Sequence, residues 1–215
     1  LDTVQKPFFA WVHYMDVHWP YFIEEQLEKP GDIAQAWRDL FHLYAVGWKG
    51  ASITETQKDH YIRSYEKAVN YTDTWIGQLL DHLESIGEAE RTMIILLSDH
   101  GEEFLEHGRW GHWESNLHDE VLHVPLIMHL PDRVGNREID SQVRTLDIMP
   151  TVLDLCNQPR LAGMLGTSLL PLLDHDASQY AEDISISEMP RADWHRVAVR
   201  NEQYKYIWDS RTPDT

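Results

Sequence analysis

Two places in the chain combine acids and imidazoles in a way that can do chemistry. The first is Ser98-Asp99-His100-Gly101-Glu102-Glu103, directly after the apolar run Thr92-Met93-Ile94-Ile95-Leu96-Leu97. A carboxylate and an imidazole are presented together where a strand ends, and Gly101 permits a sharp turn there. An Asp oxygen with a neutral His nitrogen can coordinate a divalent cation. An Asp capping a turn beside a hydrogen-bonded His would leave the same residues, so both readings stand at this point. The same loop continues Leu105-Glu106-His107-Gly108-Arg109-Trp110-Gly111-His112, adding His107 and His112. Any one of them could orient a ligand rather than be one. The second place is Asp16-Val17-His18-Trp19-Pro20-Tyr21, which Pro20 marks as a loop.

Both places depend on the elements before them. Phe8-Phe9-Ala10-Trp11-Val12-His13-Tyr14-Met15 is nearly all apolar and predicts a buried strand of a parallel sheet, with His13 structural within it. Thr92–Ser98 predicts another. If both belong to one parallel sheet, their following loops open on one edge, so that His18 and the histidines after Ser98 converge on one anionic substrate. Between them, Ile33–Val46 predicts a helix with Ile33, Ala36, Trp37, Leu40 and Tyr44 on one side. A long helix follows, capped at Thr54 and ended by Gly87, with Tyr61, Tyr65, Ala68, Thr72, Trp75, Ile76, Leu79, Leu83 and Ile86 at spacings of three and four. A short helix is expected over Asn116–Leu122, a strand at Val124–Met128, a further strand over Val143–Leu146, and a helix from Asp147 to Cys156. From Ile184 the pattern alternates as strands with one wet face do, at Ile184–Ser187, Arg196–Arg200 and Tyr204–Ile207. The organisation expected is an α/β unit over residues 1–178, and the start of a small antiparallel subdomain over 179–215.

Composition limits the partners. The 215 residues carry 36 acids against 18 Lys and Arg, a net charge of −18, so a nucleic-acid partner is not expected. An acidic surface poor in Lys suits molar salt, where self-repulsion is screened, and an ordinary acidic enzyme is the other reading. No apolar stretch is long enough for a transmembrane segment. The polar start, without an initiator Met, reads as the middle of a longer protein. Cys156 is the one cysteine, which excludes an internal disulfide and is compatible with a reducing compartment without establishing one; with the N-terminus absent the localisation is unknown, with a lean to cytoplasmic.

Taken in order, Val12–Tyr21, Ser98–Glu102, Glu106-His107-Gly108 with a basic residue at His112, His123-Val124-Pro125-Leu126-Ile127, Asp147-Ile148-Met149-Pro150-Thr151, Gly166–Leu173 and Tyr204-Lys205-Tyr206-Ile207 resemble the sulfatase family of the alkaline phosphatase superfamily. Each motif alone is weak, but the series spans nearly the whole chain. The resemblance implies an alkaline-phosphatase-like, mostly parallel sheet flanked by helices, and hydrolysis of a sulfate ester. It implies that Asp99 and His100 ligate one divalent cation, calcium in most sulfatases, or manganese or magnesium in a phosphodiesterase-like member. His18 would contact the sulfate or stabilise the leaving oxygen. His112 stands where many members have Lys and would hold a sulfate oxygen as a cation, with His107 supporting. The family's nucleophile, a Cys or Ser in Cys/Ser-x-Pro-x-Arg, and its first Asp pair are not in this sequence, which reads as the C-terminal portion of such an enzyme.

Three other patterns imitate sites. Cys156-Asn157-Gln158-Pro159-Arg160 has its Pro and Arg adjacent and does not fit the modification motif. His118 and His123 are five apart, on different faces of a helix, unlike a zinc-peptidase pair. Gly101, Gly108 and Gly111 match no phosphate-cradling pattern. The remaining alternatives are a phosphodiesterase, phosphonate monoester hydrolase or phosphoglycerol transferase of the same superfamily, distinguished by the nucleophile, and a catalytically inactive truncated chain. Substrate identity and oligomeric state are not encoded legibly.

Overall fold

A computed structural model of the chain describes residues 6–22, 30–50, 52–112, 117–131, 133, 136–174, 180 and 184–212. The chain divides into two compact units, Leu1–Val134 and Gly135–Thr215.

The first unit is built on two helices. In α1 (Pro30–Lys49), Ala36, Leu43 and Val46 are buried, while Ile33, Trp37, Phe41 and Tyr44 are exposed. The buried edge therefore differs from the expected stripe, because apolar residues occur on more than one side of this helix and the pattern alone does not choose between them. Helix α2 (Glu55–Ser85) is ended as its sequence predicts. The Thr54 hydroxyl accepts from the Gln57 backbone N–H at 3.3 Å and the Gln57 side-chain Oε1 accepts from the Thr54 backbone N–H at 3.0 Å, a reciprocal cap that contributes about 1 kcal/mol. At the other end Gly87 takes a φ of 71° that a side chain would oppose. Tyr61, Ala68, Thr72 and Leu83 form the buried face of α2.

Strands β1 (Ile94–Leu97) and β2 (Leu126–His129) form a two-stranded ladder, with Ile94 opposite His129 and Leu97 opposite Leu126. This pair is antiparallel, a local departure within the expected α/β class, whose sheet is expected to be mostly parallel and to include Phe8–Met15. The third participant in that expectation, Phe8–Met15, is not a strand. It runs as irregular backbone with Phe9 85% and Trp11 76% exposed, and His13 is exposed as well. An apolar run has no regular structure of its own until a neighbouring strand accepts its backbone hydrogen bonds, and no described strand does so. Short helix α3 (Asp119–Leu122) lies between β1 and β2; Asn116, the expected start of this helix, is outside the described residues.

The core of this unit sets the site. Tyr21, Leu43, Val46, Tyr61, Ala68 and Trp110 form one buried cluster, flanked by Trp19, Phe104 and Leu105. The loop after Met15, both long helices and the loop after β1 therefore bury side chains together, which brings two segments distant in sequence to one place.

In the second unit, Val143–Leu146 is not the expected strand; residues Thr145–Asp147 form a turn of 3₁₀ helix leading into α4 (Ile148–Leu155). The turn is dictated by Asp147, which is fully buried. Its carboxylate accepts from the backbone, Nε and Nη2 of Arg144 at 2.8–3.1 Å, the Thr167 amide at 2.8 Å and the Tyr180 hydroxyl at 2.9 Å. Arg144 must lie close over it, which an extended strand would prevent. Asp147 stands at the N-cap position of α4 without a side-chain capping bond, because its oxygens are engaged here instead. Helix α5 (Leu170–Leu173) follows. Strands β3 (Ser185–Pro190), β4 (His195–Arg200) and β5 (Lys205–Asp209) make the expected small antiparallel sheet in order β3-β4-β5.

Candidate functional site

The loop after β1 folds back on itself. Phe104 bridges Trp110 in antiparallel fashion, the Leu105 amide donates to the Arg109 carbonyl at 2.8 Å, and the Gly111 amide donates to the Glu103 carbonyl at 2.7 Å. Leu105 (φ 73°) and Gly108 (φ 79°) make the tip. In that register Glu102 falls opposite His112, and their side chains meet: His112 Nδ1 lies 2.9 Å from Glu102 Oε1. Successive residues point to opposite faces, so Glu103 turns inward instead. It is fully buried and its Oε1 accepts from the amides of His107 at 2.8 Å and Arg109 at 3.2 Å, fastening the tip from inside.

Gly101 anchors the base of the loop. Its amide donates to the Val121 carbonyl at 2.8 Å, and a Cβ there would fall inside van der Waals contact of the Glu120 carbonyl oxygen. Only glycine lets the chain pass α3 this closely.

Three histidines converge beside this loop. The rings of His100 and His112 are 4.1 Å apart between centroids, and those of His18 and His112 are 5.1 Å apart, edge to face. His18 Nδ1 lies 2.7 Å from the Trp19 carbonyl and His100 Nδ1 lies 2.9 Å from the Gly101 carbonyl. A carbonyl only accepts, so both Nδ1 atoms carry hydrogen and donate. That fixes each ring and assigns its Nε2 to any outside partner.

Asp99 is exposed, its Oδ1 accepting from the His100 amide at 3.0 Å and lying 3.9 Å from His100 Nε2. A cation bonded at about 2.0–2.6 Å to each atom would span that separation, so the residues fit a divalent ion as a pair of ligands. Among the described residues no group of three or more His, Cys, Asp or Glu side chains could hold a metal.

His107 turns elsewhere. Its ring stacks on His118 at 3.6 Å with 4° between planes, and its Nδ1 is 3.6 Å from Glu120 Oε2, while its amide is held by Glu103. It braces the loop against α3.

Glu102 and Tyr21 are the residues that sequence reasoning missed. The Tyr21 hydroxyl donates to Glu102 Oε2 at 2.8 Å. Burial, then the Glu102 charge and this hydrogen bond, push the Tyr21 phenol far above its ordinary value, so it remains a donor. The ten-residue separation of Glu102 and His112, symmetric about a loop with Gly108 near its tip, was the available signal.

Comparison with known proteins gives a consistent result. A family model described as sulfatase matches residues 1–158, and one described as N-sulphoglucosamine sulphohydrolase, C-terminal, matches residues 106–214. The chain is 31% identical to arylsulfatase K of Gallus gallus over 148 residues, covering 63% of this chain and 26% of that one. It is 30% identical over 159 residues to N-acetylglucosamine-6-O-sulfatase of Bacteroides thetaiotaomicron, covering 74% of this chain and 26% of that one. This chain thus spans about a quarter of the length of both relatives. A solved structure of a 2-O GAG sulfatase superposes with a TM-score of 0.68 at 24% identity, over 79% of this chain and 37% of that one, a likeness of fold.

Proposed function

Because the chain belongs to the sulfatase family, we propose that it supplies the leaving-group and sulfate-binding side of a metal-dependent sulfuric ester hydrolase. The observation that carries this reading is the packing of His18, His112 and His100 into one cluster, with the Asp99 carboxylate beside it. His18 and His112 meet there as ring N–H donors suited to an anion, and His100 with Asp99 forms a donor pair suited to a cation beside it.

Each residue has a distinct task. His18, held through Nδ1 by the Trp19 carbonyl, presents Nε2 to the ester. As the S–O bond breaks, His18 in its doubly protonated form gives its Nε2 proton to the departing oxygen, so the alcohol leaves neutral and the ring is left neutral with Nδ1–H still on the Trp19 carbonyl. His112, braced by Glu102, holds a sulfate oxygen. Asp99 and His100 Nε2 would hold the divalent cation, calcium by the family resemblance, with manganese or magnesium also compatible with an oxygen and nitrogen donor pair. When bound, that cation withdraws charge from the sulfuryl oxygens. His107 keeps the loop in register. The nucleophile and the remaining ligands are assigned to the part of the enzyme that relatives have and this chain does not span.

The test is turnover by the full-length protein. A sulfate ester should be hydrolysed in preference to phosphate diesters and phosphonate monoesters with the same leaving group. Preference for a phosphorus ester would instead assign the site to the phosphonate monoester hydrolase or phosphodiesterase branch. Absence of turnover on either class would leave a binding function.

A further inference from the structure

We propose that Glu102 is the positioning residue of the anion site, with Tyr21 as the group that aims it. This rests on the reading of His112 as a sulfate ligand and adds what makes a histidine serve there. A lysine would reach an anion with a flexible ammonium whose three donors need no orientation. An imidazole has one edge for the anion, so its ring must be turned and its other nitrogen committed.

The hairpin provides both. The register of Phe104 opposite Trp110 places Glu102 across from His112, and the carboxylate is shared between two donors, His112 Nδ1 on Oε1 and the Tyr21 hydroxyl on Oε2. The Glu102 side chain is only 6% exposed, so water does not compete for these bonds. Tyr21 is itself fully buried and packed edge to face against Tyr65 and Phe104. It therefore holds Oε2 rigidly and leaves Oε1 to accept from Nδ1–H. With Nδ1 held on Glu102, the plane of the His112 ring is fixed and Nε2 is the nitrogen assigned to the sulfate oxygen. The two loops carrying His18 and His112 are thereby tied through one carboxylate, since Tyr21 belongs to the His18 loop.

The experiment is a double-mutant cycle in the full-length enzyme with a sulfate ester as substrate. Glu102→Gln should raise KM about 10- to 100-fold, the loss of a hydrogen bond to a charged group, with kcat changed by less than about threefold. In the His112→Ala background the same change should add less than about twofold, because the ring it positions is gone. Equal losses in both backgrounds would show that Glu102 only supports the loop and would overturn the proposal. A wild-type KM in His112→Ala would overturn the underlying reading of His112, whereas a loss in His112→Ala with an unchanged Glu102→Gln would overturn only the role of Glu102. Should Glu102→Gln fail to fold, nitrogen-15 NMR of His112 in the wild-type protein carries the test. A protonated Nδ1 is expected, and an unprotonated Nδ1 would contradict the arrangement.

Discussion

The rings of His18 and His112 meet edge to face, 5.1 Å between centroids, although they come from loops on either side of two long helices. Their meeting depends on Tyr21 and Trp110, each within three residues of one of the histidines, entering the same buried cluster. Packing beneath the loops, rather than any contact between the imidazoles, brings the site together.

The metal-ligand assignment is tested at Asp99. In the full-length protein, Asp99→Ala should weaken calcium binding by about 100-fold or more, since a two-donor contribution loses its only charged member. Calorimetric titration with calcium, repeated with manganese, measures it. Undiminished affinity for both ions would remove Asp99 from the ligand set.

Gly101 is a steric prediction. Gly101→Ala drives a methyl group into the Glu120 carbonyl, so the loop must move away from α3 and the Gly101–Val121 hydrogen bond must lengthen. Thermal or denaturant unfolding should show a loss of about 1–3 kcal/mol, with sulfate-ester turnover falling as His100 shifts. A variant with unchanged stability and activity would mean that α3 yields freely.

Asp147 gives a pH prediction for the second unit. Burial alone would raise its carboxyl, but the hydrogen bonds from Arg144, Thr167 and Tyr180 outweigh burial and hold it below the ordinary value. The folded pKa thus lies below the unfolded one of about 3.9. The stabilisation is complete above roughly pH 4 and is lost as pH falls through the folded value. Asp147→Asn should cost about 3–5 kcal/mol at pH 7, because Arg144 is left beside a neutral group, and the penalty should shrink as pH falls through the folded pKa of Asp147. A penalty independent of pH would contradict an ionised Asp147.

The charge of −18 predicts a salt effect. The thermal midpoint should rise between about 0.1 M and 2 M KCl as self-repulsion is screened. An unchanged midpoint would assign the acidity to an ordinary enzyme surface.

What the sequence revealed was mostly local. The Thr54–Gln57 cap and the Gly87 stop depend on neighbours within one turn, so α2 was legible nearly to the residue. The strand-like alternation of β3, β4 and β5 was legible for the same reason. Phe8–Met15 was not, because its apolar character predicts burial but only a partner strand can impose one, and none of the described strands pairs with it. Val143–Leu146 was misread because its conformation is set by Asp147 recruiting Arg144, Thr167 and Tyr180. In the site, His18, Asp99, His100, His107 and His112 could be named from motifs. The pairing of Glu102 with His112 could not, since it follows from the Phe104–Trp110 register.

The most direct measurement is the turnover number of full-length His18→Ala on a sulfate ester, alongside its thermal midpoint. Without a group to protonate the departing oxygen, kcat should fall by about 100-fold or more. The midpoint should hold, because His18 is exposed. Wild-type turnover in that variant would contradict the claim that the histidine cluster serves one sulfate ester.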